Sequence, residues 1–185
     1  MAKELESFVS EAECIIKIEK TETETEEYHL IAAGNTLKCA DVNKLLEKVS
    51  YIPAYFFQNR AFDKGQIIIP NNIRHIGNNA FDGASGIIAI LFNERENEND
   101  LYVDDSAFAN LIEDSKSETE TEISVELKTR IGSGSIILSK NCFSNTKNLT
   151  INFQESPSLV KMKKNILSEE KNINISTNIS AFSNT

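Results

Sequence analysis

Tryptophan is missing from this chain, and histidine occurs only twice, as His29 and His75. Two histidines leave few choices for general acid–base catalysis or metal ligation. His75 falls at a variable position of a repeated pattern described below and reads as a surface residue. His29 falls in a candidate strand, and no motif places it near a nucleophile. Cysteine is scarce too. Cys14, Cys39 and Cys142 are odd in number, widely spaced and form no CxxC pair. That argues against a disulfide framework and a zinc site, and it fits a reducing compartment. Each cysteine reads as a small core residue. No apolar run approaches the roughly 20 residues of a membrane helix. Residues 1–6 lack the apolar stretch of a signal peptide.

Positive charge is also in short supply. Lys and Arg total 19 against 28 Asp and Glu, a net charge of −9. Phosphate backbones repel such a surface, and no basic stripe offsets it. Lys161, Lys163 and Lys164 form the only basic cluster, followed by Glu169 and Glu170, and read as a charged helix face. Neither nucleic acid nor a membrane is expected as a partner. The GxSxG, HExxH, Walker and GxGxxG motifs are absent. Gly132, Ser133, Gly134 and Ser135 lack the lysine that follows in a phosphate loop, so they read as a turn. Glu94, Glu96, Asp100, Asp104 and Asp105 could surround Ca²⁺, but they have neither the spacing nor the glycine of an EF-hand and read as a solvated loop. Sequons at Asn148, Asn174 and Asn178 imply little without a secretory signal. No catalytic, cofactor-binding or metal residue is assigned, no cofactor is expected, and the chain is not expected to be an enzyme.

What is present is a repeat. Hydrophobic residues make up 40% of 185, enough for a real core. Phe57, Phe81, Phe108 and Phe143 each stand five residues after an aliphatic residue: Ile52, Ile76, Val103 and Leu138. Ala80, Ala107 and Cys142 fill a small-residue slot before three of them; Phe56 occupies it before the fourth. An aliphatic residue follows by six at Ile87 and Leu149. The anchors are 24, 27 and 35 residues apart, and the longer gaps hold acidic insertions at 93–100 and 115–122, as surface loops would. A unit of about 24 residues cannot bury its own apolar face, but stacked units can share one core. Periodic Phe and Ile could also belong to an ordinary β-rich core. Several positions recurring together favour the repeat. Strands at 67–69, 88–91, 123–127 and 148–153 are then expected to line up as a sheet. Pro70 ends its strand because it cannot donate a ladder hydrogen bond.

The unit from Pro70 to Ile87 resembles the BspA-type leucine-rich repeat, roughly IPxxVxxIGxxAFxxCxxL. Pro70, Ile73, Ile76, Gly77, Ala80, Phe81 and Ile87 match it, with Ala84 in the Cys slot. The resemblance covers residues 49–153, with one full repeat and three degenerate ones. It implies a short sheet-bearing solenoid and a role in protein binding or adhesion, although family members are usually long and exported.

Outside the repeat, residues 14–19 and 27–32 read as strands of a long hairpin, with the polar run 21–26 at its tip. Gly34-Asn35 signals a turn. Asp41 reads as the N-cap of a helix from 42 to about 49, with Leu45, Leu46 and Val49 inward. After Pro157, the spacing of Leu159, Met162 and Ile166 suggests a helix to about 171 that covers the end of the stack. Residues 172–185 read as a loose tail or a partner-bound arm.

The expected fold is β-rich α+β: a short leucine-rich-repeat-like solenoid sheet with an N-terminal β-hairpin plus helix and a C-terminal capping helix. Three parts follow: hairpin and helix (1–48), a possible docking element; repeat (49–156); cap and tail (157–185). The expected function is a non-enzymatic protein–protein interaction module within a larger assembly such as a bacteriophage tail, baseplate or capsid decoration. Its expected partners are other proteins, including virion proteins, and further copies of itself. Virion or cytoplasm is the expected location. An exported adhesin and an enzyme with an unrecognised site are the alternatives.

Overall fold

The computed structural model describes residues 7–20, 25–95, 99–112, 123–129, 134–146, 149–155, 160–162 and 173–178. The chain begins with an antiparallel sheet of β1 (Ser7–Glu11), β2 (Cys14–Lys20) and β3 (Glu26–Ala33). β2 and β3 are the two hairpin strands expected from the sequence. β1 was not foreseen. Its tight turn to β2 places Ala12 and Glu13 at φ 52° and 59°. Two-residue hairpins need that left-handed pair, and Asn-Gly is the usual way to fill it. Ala-Glu gives no such signal. Cys14, Ile16 and Leu30 turn inward and join the main core.

A short β4 (Thr36–Leu37) leads into α1 (Cys39–Leu46). The helix therefore starts earlier than expected and ends by Leu46, and Asp41 is not its N-cap. Asp41 lies in the first turn, where its charge favours the helix dipole. The capping acceptor comes from 24 residues away: Cys39 N–H donates to Asp63 Oδ1 at 2.6 Å. Local sequence cannot reveal a cap donated by a neighbouring strand.

From here the chain alternates between two parallel sheets. The longer sheet runs β4, β6 (Ala61–Ile69), β8 (Ser85–Phe92), β10 (Ile123–Thr129), β12 (Leu149–Glu155) and β14 (Ile173–Asn178). The shorter runs β5 (Tyr51–Ile52), β7 (His75–Ile76), β9 (Leu101–Val103), β11 (Ile136–Leu138) and β13 (Val160–Met162). Each pass of chain adds one strand to each sheet. α1 lies in the pass from β4 to β6; among the described residues, the later passes join parallel neighbours without a helix. Most parallel sheets are covered on both faces. Here the long strands bury alternate residues: Ile67 and Ile69, Ile90 and Phe92, Val125 and Leu127. The residues between them are only partly buried. The four strands expected near 67, 88, 123 and 148 are neighbours in this sheet, in that order.

The four phenylalanines stack. Ring centroids are 4.8 Å apart for Phe57–Phe81, 5.0 Å for Phe81–Phe108 and 5.6 Å for Phe108–Phe143. All four rings are fully buried. Each sits midway between two residues in the left-handed region: Tyr55 and Asn59, Asn79 and Gly83, Ser106 and Asn110, Asn141 and Asn145. Equivalent turns then bond in register. Tyr55, Phe57 and Asn59 N–H donate to the carbonyls of Asn78, Ala80 and Asp82 at 3.0, 2.7 and 2.9 Å. Asn79, Phe81 and Gly83 donate likewise to Asp105, Ala107 and Ala109. Ser106, Phe108 and Asn110 continue to Lys140, Cys142 and Ser144. This backbone ladder satisfies polar groups that a buried turn would otherwise leave unpaired.

The expected C-terminal helix is corrected in its described part. Val160–Met162 is a strand paired with β11. The β11 edge offers ladder partners that override the helical spacing of Met162, and the β-branched Val160 suits a strand. Leu159, Ile166 and the rest of that segment lie outside the described residues. The loose-tail alternative for 172–185 is corrected at Ile173–Asn178, which pairs with β12 along its whole length; the rest of that segment lies outside the described residues.

The three cysteines are free and buried. Burial is the first cause that pushes Cys14 up to about 11 and Cys39 up to about 12. Cys142 is also pushed up, chiefly by burial and then by Asp105. The folded thiols are therefore poor nucleophiles at neutral pH. We predict that a thiol reagent leaves the native chain unlabelled and modifies three groups once it is unfolded. An unfolded thiol ionises near 9.0, below the folded values. Stability from this source is complete below that pH and falls as pH rises toward 11 and 12. Urea melts at increasing pH should show the loss begin near 9, and rapid native labelling at pH 7 would contradict it.

Candidate interaction surface

The register of the shorter sheet aligns one residue from each strand. Tyr51 pairs with His75, His75 with Tyr102, Tyr102 with Ile137, and Ile137 with Lys161. Their neighbours Ile52, Ile76, Val103 and Leu138 are buried. Strand residues alternate faces, so the row lies on the outside. Tyr51 and Tyr102 are 43% and 51% exposed. Strands about 4.8 Å apart hold these side chains in a continuous stripe.

The stripe has fixed chemistry at its centre. His75 Nε2 lies 2.7 Å from Asp104 Oδ2, and its ring centroid lies 5.2 Å from that of Tyr51 at a 49° tilt. Asp105 pairs with Lys140 at 3.5 Å. Tyr55, in the turn after β5, is 57% exposed at φ 63°. Asn79, Ser106 and Asn141 hold that place in the other turns. A bulky residue in the left-handed region costs about 1 kcal/mol or more. An aromatic side chain kept there, exposed and at a conformational cost, points to a use outside the core.

The sequence did carry a signal for this row. Tyr51, His75 and Tyr102 each stand directly before the aliphatic residue that precedes a Phe anchor by five. His75 read as a variable surface position, and Tyr51 and Tyr102 were not singled out.

The structure disperses the catalytic and metal candidates. His75 is on the stripe, whereas His29 lies in β3 beside Glu19 and Glu27 at 3.6 and 3.9 Å. The carboxylates considered for Ca²⁺ have separate partners: Asp100 accepts from Ser135 N–H at 2.7 Å, and Asp104 and Asp105 face His75 and Lys140. Glu96 lies outside the described residues. Among the described residues, no three His, Cys, Asp or Glu side chains gather to hold a metal. No helix among them is long and apolar enough to cross a membrane.

One buried charge was missed entirely. Arg95 is 1% exposed; its Nη1 donates to Pro70 O at 3.2 Å and its Nε to Asn99 O at 3.4 Å. Burial pulls its pKa below the ordinary value, and Arg74 adds to that. These bonds tie the segment after β8 to the turn at Pro70. Comparison with protein-family models, with curated proteins and with solved structures returns no match for this chain.

Proposed function

We propose that this protein is a protein–protein interaction module built on a short leucine-rich-repeat-like solenoid. It serves as a structural subunit of a larger assembly such as a bacteriophage virion. Four equivalent Phe-centred turns and two parallel sheets support the solenoid. The observation that carries the functional half is the exposed row of Tyr51, His75 and Tyr102, with Tyr55 held at positive φ beside the first strand. Tyrosines are enriched where protein interfaces concentrate their binding energy. They combine a large apolar ring with a hydroxyl that can bond at a wet rim. A stacked core fixes their backbone before binding, which lowers the entropy cost of association.

The test is purification from the native source, identification of the co-migrating chain, and titration of that chain against variants. Tyr51→Ala combined with Tyr102→Ala should weaken binding by about 30-fold or more, as expected for a loss of about 2 kcal/mol at a hot spot. Ser124→Ala, on the longer sheet, should leave affinity unchanged. Equal affinity for both variants would remove the stripe from the interface. Recovery of the chain without any partner would overturn the function.

A further inference from the structure

We propose that a second copy of this chain pairs with the outer edge of β14, related by a two-fold axis, so that the longer sheet continues from one copy into the other.

The two ends of that sheet are built differently. At the β4 end, α1 closes the edge of β6. Asn43 Oδ1 accepts from Ile68 N–H at 2.9 Å, and Asn43 Nδ2 donates to Gln66 O at 3.0 Å. One side-chain amide thus replaces the donor and the acceptor that a neighbouring strand would supply. Asn72 Nδ2 ties the segment after α1 in the same way, donating to Leu46 O and Val49 O. Val42, Leu45 and Leu46 bury the apolar end of the stack. At the other end, β14 pairs with β12 over six positions along one edge. Among the described residues, no strand pairs with its other edge.

Proteins blunt an exposed edge with charge, proline or a bulge. Ile173, Asn174, Ile175, Ser176, Thr177 and Asn178 supply no charge and no proline, and their register with β12 is unbroken. The absence of charge also selects the occupant. Two chains of net charge −9 repel over most of their surfaces. At β14 they meet where neither carries charge. Symmetry sets the stoichiometry. An antiparallel pair of identical strands is self-complementary and closes at two. A head-to-tail filament would need a long open edge at the other end, where Asn43 covers β6 at 66–68 and β4 is only two residues long. This pairing is independent of what the aromatic stripe binds.

The full-length chain should sediment at twice its 20.7 kDa. Asn174→Lys combined with Ser176→Lys puts like charges along the edge, at positions level with Thr150 and Asn152 rather than with the buried Leu149 and Ile151. That variant should sediment as a monomer with an unchanged circular dichroism spectrum. Single cysteines placed in turn at each of residues 173–178 provide a second readout. A strand lying antiparallel to its twin about a two-fold axis brings one residue opposite its own copy, so at least one of the six variants should form an interchain disulfide on mild oxidation. Tyr51→Ala with Tyr102→Ala should leave the dimer intact, which separates this interface from the stripe. A monomeric wild type, an open-ended polymer, a dimer that survives the lysines, or no cross-link at any of the six positions would each overturn the pairing.

Discussion

Phe81→Ala will lower the stability of this protein by about 3–5 kcal/mol, the usual range for deleting a fully buried Phe. For a chain of this length that is roughly a 10 °C fall in Tm. Phe81 is 0% exposed, and rings stack on both of its faces: Phe57 at 4.8 Å and Phe108 at 5.0 Å. Phe62 adds a third contact at 6.3 Å. Truncation opens a cavity between two turns whose backbones are fixed by the 2.7 Å bonds from Phe57 to Ala80 and from Phe81 to Ala107. The site therefore has little freedom to collapse. Calorimetry on Phe81→Ala beside the surface variant Tyr102→Ala tests this, because the latter should stay within about 0.5 kcal/mol of wild type. The ladder also predicts coupling. Phe81→Ala and Phe108→Ala share one contact, so their combined cost should differ from the sum of the two. Comparable Tm values for Phe81→Ala and Tyr102→Ala would remove the ladder from the list of what holds the fold.

The second large effect is expected at Gly86→Ala, from backbone rather than core volume. Gly86 sits at φ +82°, and a Cβ built there would overlap the carbonyl oxygen of Phe62. Relief in either direction is blocked. Gly86 N–H donates to Ile112 O at 3.2 Å, and Ser85 N–H donates to Arg60 O at 3.0 Å, so segments on both sides hold the strand start in place. The opposing Phe62 is itself packed against Phe57 and Phe81. Left-handed strain and a backbone clash add, and the cost should exceed about 3 kcal/mol. Gly65→Ala is the matched control. Its Cβ would meet the Cys39 side chain at 3.0 Å, without positive φ, and a side chain can shift where a carbonyl in a ladder cannot. Thermal melts should therefore rank wild type, Gly65→Ala and Gly86→Ala in falling order, and the reverse order of the two variants would refute the close approach at Phe62.

What the sequence revealed and what it hid follow from how local each determinant is. The Phe ladder was legible because Ala80-Phe81, Ala107-Phe108 and Cys142-Phe143 repeat a small residue before a ring at a fixed offset from an aliphatic one. The left-handed positions two residues either side of each Phe were legible in principle, since Asn, Ser and Gly fill all but one of them. The exception, Tyr55, is the informative one. The helix start was misread because its acceptor, Asp63, belongs to another strand. Val160 and Met162 were assigned to a helix because apolar spacing over a few residues cannot separate helix from strand when an unpaired neighbouring edge decides the outcome. β14 was read as part of a loose tail or a partner-bound arm because its polar Asn and Ser residues outweighed the alternating Ile173 and Ile175.

The distance along the chain from Tyr51 to His75 is 24 residues, and from His75 to Tyr102 it is 27. Both steps nevertheless advance the row by one strand. Pitch is thus set by the rungs and is indifferent to the length of chain between them. Genetic drift can lengthen a connecting segment without displacing the groups displayed by the next layer, so what the scaffold exhibits and how long it grows are separately adjustable.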